Sequence, residues 1–200
     1  MQILRIIGVF LVIVSLGIIA VCMFRRNEPF FNLNAVFRRH FGLFKDCKGQ
    51  YWVFYFLPAV FSLGLVFLYI PTENLLTELS VVLGIVLSVL LTVLSIISSF
   101  DFSDIIDQTQ KKKGREVVED TINSITFNTV LCVFLLMYNM ILIVAAEGDF
   151  SWIPFELSLI KGGAAIIVYY LFSVICLTFL LIVKQMTKII QFNLAVKRRE

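Results

Sequence analysis

The chain has 200 residues, 60% of them apolar and 16% charged, with a net charge of +3 at neutral pH. Water-soluble domains are about 45–50% apolar and about 25% charged, so the composition excludes an ordinary soluble domain and points to lipid as the main solvent. No room is left for a soluble catalytic domain beside a membrane part, and the chain reads as a single transmembrane helical domain over residues 1–200.

Five charge-free apolar stretches stand out, at residues 6–24, 51–70, 79–100, 125–146 and 162–183. About twenty residues at about 1.5 Å each cross a hydrocarbon core of about 30 Å. The stretches are apolar all round rather than alternating, which excludes a β-barrel, and backbone groups in lipid must pair within the segment. The expected fold class is therefore all-α, an integral membrane bundle of four to five transmembrane helices with helical cytoplasmic extensions.

The first stretch follows Met1–Arg5 and has the outline of a secretory signal. Ala20-Val21-Cys22 is a poor cleavage site, and cleavage would leave Arg25, Arg26, Arg38 and Arg39 outside, so a retained helix is expected. Residues 29–50 come next. Here Leu33, Phe37, Phe41 and Phe44 recur at helical spacing, with Arg38, Arg39 and Lys45 between them. A phenylalanine face opposite a basic face predicts a helix lying in the headgroup plane; a short connector packing on neighbouring spans is the plainer alternative. His40 is the sole histidine and lacks the companions a metal site requires.

Tyr51, Trp52 and Tyr55 place an aromatic belt at the start of the second stretch, and Pro58 should kink it. In the third stretch Ser80, Gly84, Ser88, Thr92, Ser95 and Ser99 form one line of small residues at steps of three or four. Such a line permits close helix approach, as an intrachain packing face, a subunit interface or a pore lining. Residues 101–124 are predicted to form a cytoplasmic helical hairpin reversing at Gly114, with Asp104, Asp107 and Glu119 near its base and Lys111, Lys112, Lys113 and Arg115 near its tip.

The fourth stretch holds Asn128 and Asn139, eleven residues and hence about three turns apart on one face. Amides are costly against lipid tails, so both should point inward, where they can reach the hydroxyls of the third stretch. Trp152 marks the outer interface before the fifth stretch. The tail, residues 184–200, can continue the last helix and carries an apolar strip with Ile189, Ile190 and Leu194 that needs a partner.

Lys and Arg fix the direction. Residues 25–50, 101–124 and 184–200 hold 15 of the 17, and the opposite stretches hold the other two. Cytoplasmic loops collect these residues, which predicts a multi-pass inner-membrane protein with its C-terminus cytoplasmic and its N-terminus periplasmic. No ionised residue lies inside a stretch, no phosphate loop or nucleophile–base pair is present, and the four cysteines lack metal-ligand spacing. The expectation is a protein that is not an enzyme, with no cofactor, no metal and no direct contact with nucleic acid. Membrane lipid, further copies of the chain and a soluble cytoplasmic protein are the expected partners.

The basic segment HFGLFKD leading into YWVFYFLPAVFSLGL, then an aliphatic span and a charged hairpin before ITFNTVLCVFLL, resembles the small membrane proteins of bacterial anti-phage islands. Among these it is most similar to the membrane subunit of the Kiwa defence system, over most of residues 38–183. That family is described with four spans, and this chain has five apolar stretches. The resemblance implies an oligomeric inner-membrane sensor of infection that anchors a cytoplasmic DNA-binding effector. A pore lined by Ser88, Thr92 and Ser95, with Asn128 and Asn139 as further candidates, or an accessory protein packing on another membrane partner, is the alternative.

Overall fold

A computed structural model of the protein describes residues 14, 33–42, 49, 52–99, 108–147 and 157–197, and the described residues are helical apart from short connections, with no strand among them. The chain divides into two compact units, Met1–Leu43 and Phe44–Glu200. The expected first span at 6–24, apart from Val14, lies outside the described residues.

In the first unit, α1 spans Leu33–Gly42. Phe37 and Phe41, one turn apart, stack with ring centroids 6.3 Å apart. Arg38 and Arg39 are exposed, while His40 on the next position is fully buried.

The second unit holds the other described helices. A π-helical turn at Trp52–Phe56 runs into α2, Leu57–Leu68, with Pro58 in its first turn. Proline has no N–H and its ring crowds the carbonyl four residues back, here that of Phe54. The wider turn in front of it accommodates both defects, and this is the form the disturbance at Pro58 takes. Helix α3 spans Glu73–Ser98, α4 Gln108–Glu147 and α5 Leu157–Lys197. Thr72 caps α3, its hydroxyl accepting from the Leu75 N–H.

Among the described residues, three helices are long and apolar enough to cross a membrane, in α3, α4 and α5, and the Trp52–Leu68 stretch is a shorter apolar helix. The chain is thus a membrane-spanning helical protein. The second unit's helices pack in the order α3, α4, α5, α2, with α5 also holding the π-turn. Nine residues separate α3 from α4, and nine separate α4 from α5. Nine residues reach at most about 31 Å, less than the about 39 Å length of α3, so neighbours in this series run antiparallel. Helices α2 and α3 do not pack on each other, although only residues 69–72 join them.

The core follows from that order. Helix α3 buries Leu76, Leu83, Leu90 and Ile97, one residue every seven, which is the repeat of left-handed helix pairs. Helix α4 sits between two neighbours and buries Ile125, Phe127, Leu131, Cys132 and Leu135. On α5 the buried positions include Ala165, Val168, Val174, Ile175 and Ile182.

Candidate functional site

Helices α4 and α5 outrun the bilayer. With 40 and 41 residues they are each about 60 Å long, twice the hydrocarbon thickness. Charges begin at Asp120 on α4 and at Lys184 on α5, and from there Gln108–Asp120 and Lys184–Lys197 each continue for about 20 Å. Because the helices are antiparallel, both extensions leave the same end of the bundle. Burial continues into them at Gly114 on α4 and at Ile189 on α5, and Thr121, directly after the α4 extension, is buried as well. Two extensions that stay packed beyond their apolar stretches make a stalk.

The stalk corrects one expectation. Gly114 is not a reversal point: α4 runs through it without a break. Glycine costs about 1 kcal/mol against alanine inside a helix, and strong helix formers on both sides, with packing at Gly114 itself, outweigh that. Lys112, Arg115 and Glu119 are exposed on the stalk, and Lys111 is half-buried. Ile190 is 48% exposed, whereas Ile189 is 4% exposed and therefore packs within the chain. Asp104, Asp107 and Trp152, and the side chains of Lys113 and Leu194, lie outside the described residues.

Within the bundle, Asn128 and Asn139 are fully buried. The Asn139 amide donates to Ser80 Oγ at 3.4 Å, joining α4 to α3. Asn128 makes no hydrogen bond with either amide atom, and Asn139 Oδ1 makes none. Thr121, Ser124 and Thr178 are buried as well, each donating to the carbonyl one turn back. At the other end of the bundle Tyr169 of α5 donates to the Tyr69 carbonyl at 3.1 Å, holding the α2–α3 connection against α5.

The line of small residues on α3 faces differently from the buried heptad. Ser80 and Gly84 are half-buried, but Ser88, Thr92, Ser95 and Ser99 are exposed, and a Cβ at Gly84 would meet nothing within 4 Å. The Ser88 and Thr92 hydroxyls donate to Gly84 and Ser88 carbonyls at 3.0 and 2.9 Å, which removes their cost against lipid. Intrachain contact is carried by the larger residues at 76, 83, 90 and 97 instead.

Burial drives the His40 imidazole down from its ordinary 6.5 to about 4, so it is neutral at physiological pH. A groove of about 330 Å³ also opens between the π-turn and the stalk-side part of α5, with Lys184 at its edge. Trp52, the residue before Val53 on the π-turn, is 60% exposed, its ring meeting Phe56 edge-on at 4.8 Å. Cys132 and Cys176 are free thiols, and among the described residues no three His, Cys, Asp or Glu side chains come together as a metal site would require.

Comparison with protein-family models, with curated proteins and with solved structures finds no match to this chain.

Proposed function

We propose that this chain is a multi-pass component of the bacterial cytoplasmic membrane that anchors and regulates a soluble, DNA-binding effector in an anti-phage defence complex. It would sense infection as a disturbance of the envelope. The observation that supports this reading best is the stalk: two packed helices carry a charged surface about 20 Å past their apolar stretches. The distribution of Lys and Arg puts that end in the cytoplasm. Trp52–Leu68 is the fourth span and residues 6–24 the fifth in this reading. A tilt of α4 or α5 in the bilayer moves the stalk tip directly, because no break separates the two parts.

The test is a mild-detergent pull-down of the tagged full chain from its host, with mass spectrometry of what remains bound. A stoichiometric soluble DNA-binding protein is expected, and reversing Lys111, Lys112 and Lys113 to Glu should cut its recovery at least tenfold. Recovery of the chain alone would sink the anchoring role, and unchanged recovery with the reversed charges would remove the stalk as the docking surface.

The line of half-buried Gly84 and exposed Ser88, Thr92 and Ser95 favours a second element, assembly of several copies through α3, with or without a conducting axis. Bilayer recordings on the wild type and on Ser88→Leu separate the two forms. A conductance changed by the substitution supports a pore, and a silent bilayer leaves an interface only.

A further inference from the structure

We propose that the groove between the π-turn and α5 binds one anionic phospholipid of the cytoplasmic leaflet. This rests on the membrane placement given above and goes beyond it by assigning a ligand to a site. Five walls of the groove are apolar: Val53 and Phe54 on the π-turn, and Leu177, Leu180 and Leu181 on α5. Its volume of about 330 Å³ falls in the range of about 300–1,000 Å³ typical of small-molecule clefts. An open apolar trough on the outside of a membrane bundle is filled by hydrocarbon, which makes an acyl chain its occupant.

Charge selects the headgroup. Among the described residues that line the groove, Lys184 is the charged one; it follows the charge-free stretch 162–183 and is exposed. Its ammonium therefore sits where the apolar trough meets the headgroup layer. Gly49 lines the same groove, and a Cβ there would meet nothing within 4 Å, so the space beside it is open to a phosphate-bearing headgroup. Trp52, next to Val53 on the π-turn, is exposed, and amphipathic rings favour the headgroup level. Basic pockets between membrane helices on the cytoplasmic side recognise anionic headgroups in this way.

The π-turn is what makes the trough. Pro58 lacks an N–H and crowds the Phe54 carbonyl, and the wider turn in front of it carries Val53 and Phe54, which line the groove. The site thus joins a local defect in one helix to the lipid-facing leucines and the first cation of another.

The test uses the full chain carrying Trp152→Phe, leaving Trp52 as the only tryptophan, in phosphatidylcholine vesicles doped with phosphatidylglycerol. Either lipid carries brominated acyl chains, which quench a nearby tryptophan. Phosphatidylglycerol is expected to quench Trp52 with about fivefold preference over phosphatidylcholine. Lys184→Gln should bring that preference to parity, while Lys188→Gln, one turn further on and outside the groove, should leave it intact. Quenching without headgroup preference in the parent, or a preference that survives Lys184→Gln, would overturn the site. Equal loss in Lys188→Gln would reduce it to general surface attraction, and competition by glycerol 3-phosphate would make it a site for soluble phosphate. Absence of quenching by both brominated lipids would instead overturn the bilayer placement itself.

Discussion

A buried imidazole held neutral, such as His40, makes the unit around it sensitive to acid. Its proton affinity falls from 6.5 to about 4 because burial strips water from the charged form. Above pH 6.5 the ring is neutral whether α1 is closed or open, and it contributes no pH dependence. Between 6.5 and 4 the open form binds the proton and the closed form does not, so acid favours opening, by up to about 3 kcal/mol at full effect. Hydrogen exchange of the Leu33–Gly42 amides, corrected for the intrinsic rate, should therefore lose protection as pH falls through that window. His40→Gln should remove the dependence, and a profile unchanged by that substitution would assign it to another group. Asn128 argues in the opposite direction. Both its amide atoms are buried without a hydrogen bond, a state that costs about 1–3 kcal/mol. Asn128→Leu should accordingly stabilise the isolated chain by about 1 kcal/mol in reversible detergent unfolding. A loss of stability instead would show that the amide is satisfied in the working protein.

At the scale of the element, α3 separates two faces that look interchangeable by composition. The larger residues at 76, 83, 90 and 97 turn inward, and Ser88, Thr92 and Ser95 turn out. Lipid removes the transfer contribution to packing but not the loss of contacts when a buried residue is cut back. Leu83→Ala should then cost roughly 1–2 kcal/mol, while Ile85→Ala, two residues on and exposed, should cost less than about 0.5 kcal/mol in the same unfolding assay. Equal costs would mean that α3 does not pack on α4 through the heptad. The sequence makes the existence of α3, α4 and α5 legible, because a long run apolar on every side has one viable form in lipid. The inward amides of Asn128 and Asn139 are legible for the same reason. The facing of α3 is not, since hydroxyls that bond to their own helix sit in lipid as comfortably as leucine does. Gly114 misleads because glycine weakens a helix without ending it, and packing decides. The groove is invisible from sequence: Phe54 and Leu177 are far apart along the chain and line it together only because the π-turn packs on α5.

For the whole molecule, exposure has two meanings, and the stalk is where one gives way to the other. Leu180 is 63% exposed and Ile190 is 48% exposed on the same continuous helix, ten residues or about 15 Å apart. Leu180 belongs to the charge-free stretch and Ile190 to the charged extension, so one should face acyl chains and the other water. A chain whose four native cysteines are replaced by serine or alanine, carrying single cysteines at these positions, turns that difference into a labelling pattern. Ile190→Cys should react with a charged maleimide only after the cytoplasmic side is opened. Glu73→Cys, in the first turn of α3 at the opposite end, should react in intact cells. Leu180→Cys should remain unlabelled in both conditions yet react once the protein is unfolded in detergent, because thiolates do not form in hydrocarbon. Equal labelling of Leu180→Cys and Ile190→Cys would place the apolar stretch in water. Ile190→Cys labelled in intact cells would invert the orientation and with it the side on which the stalk meets a partner.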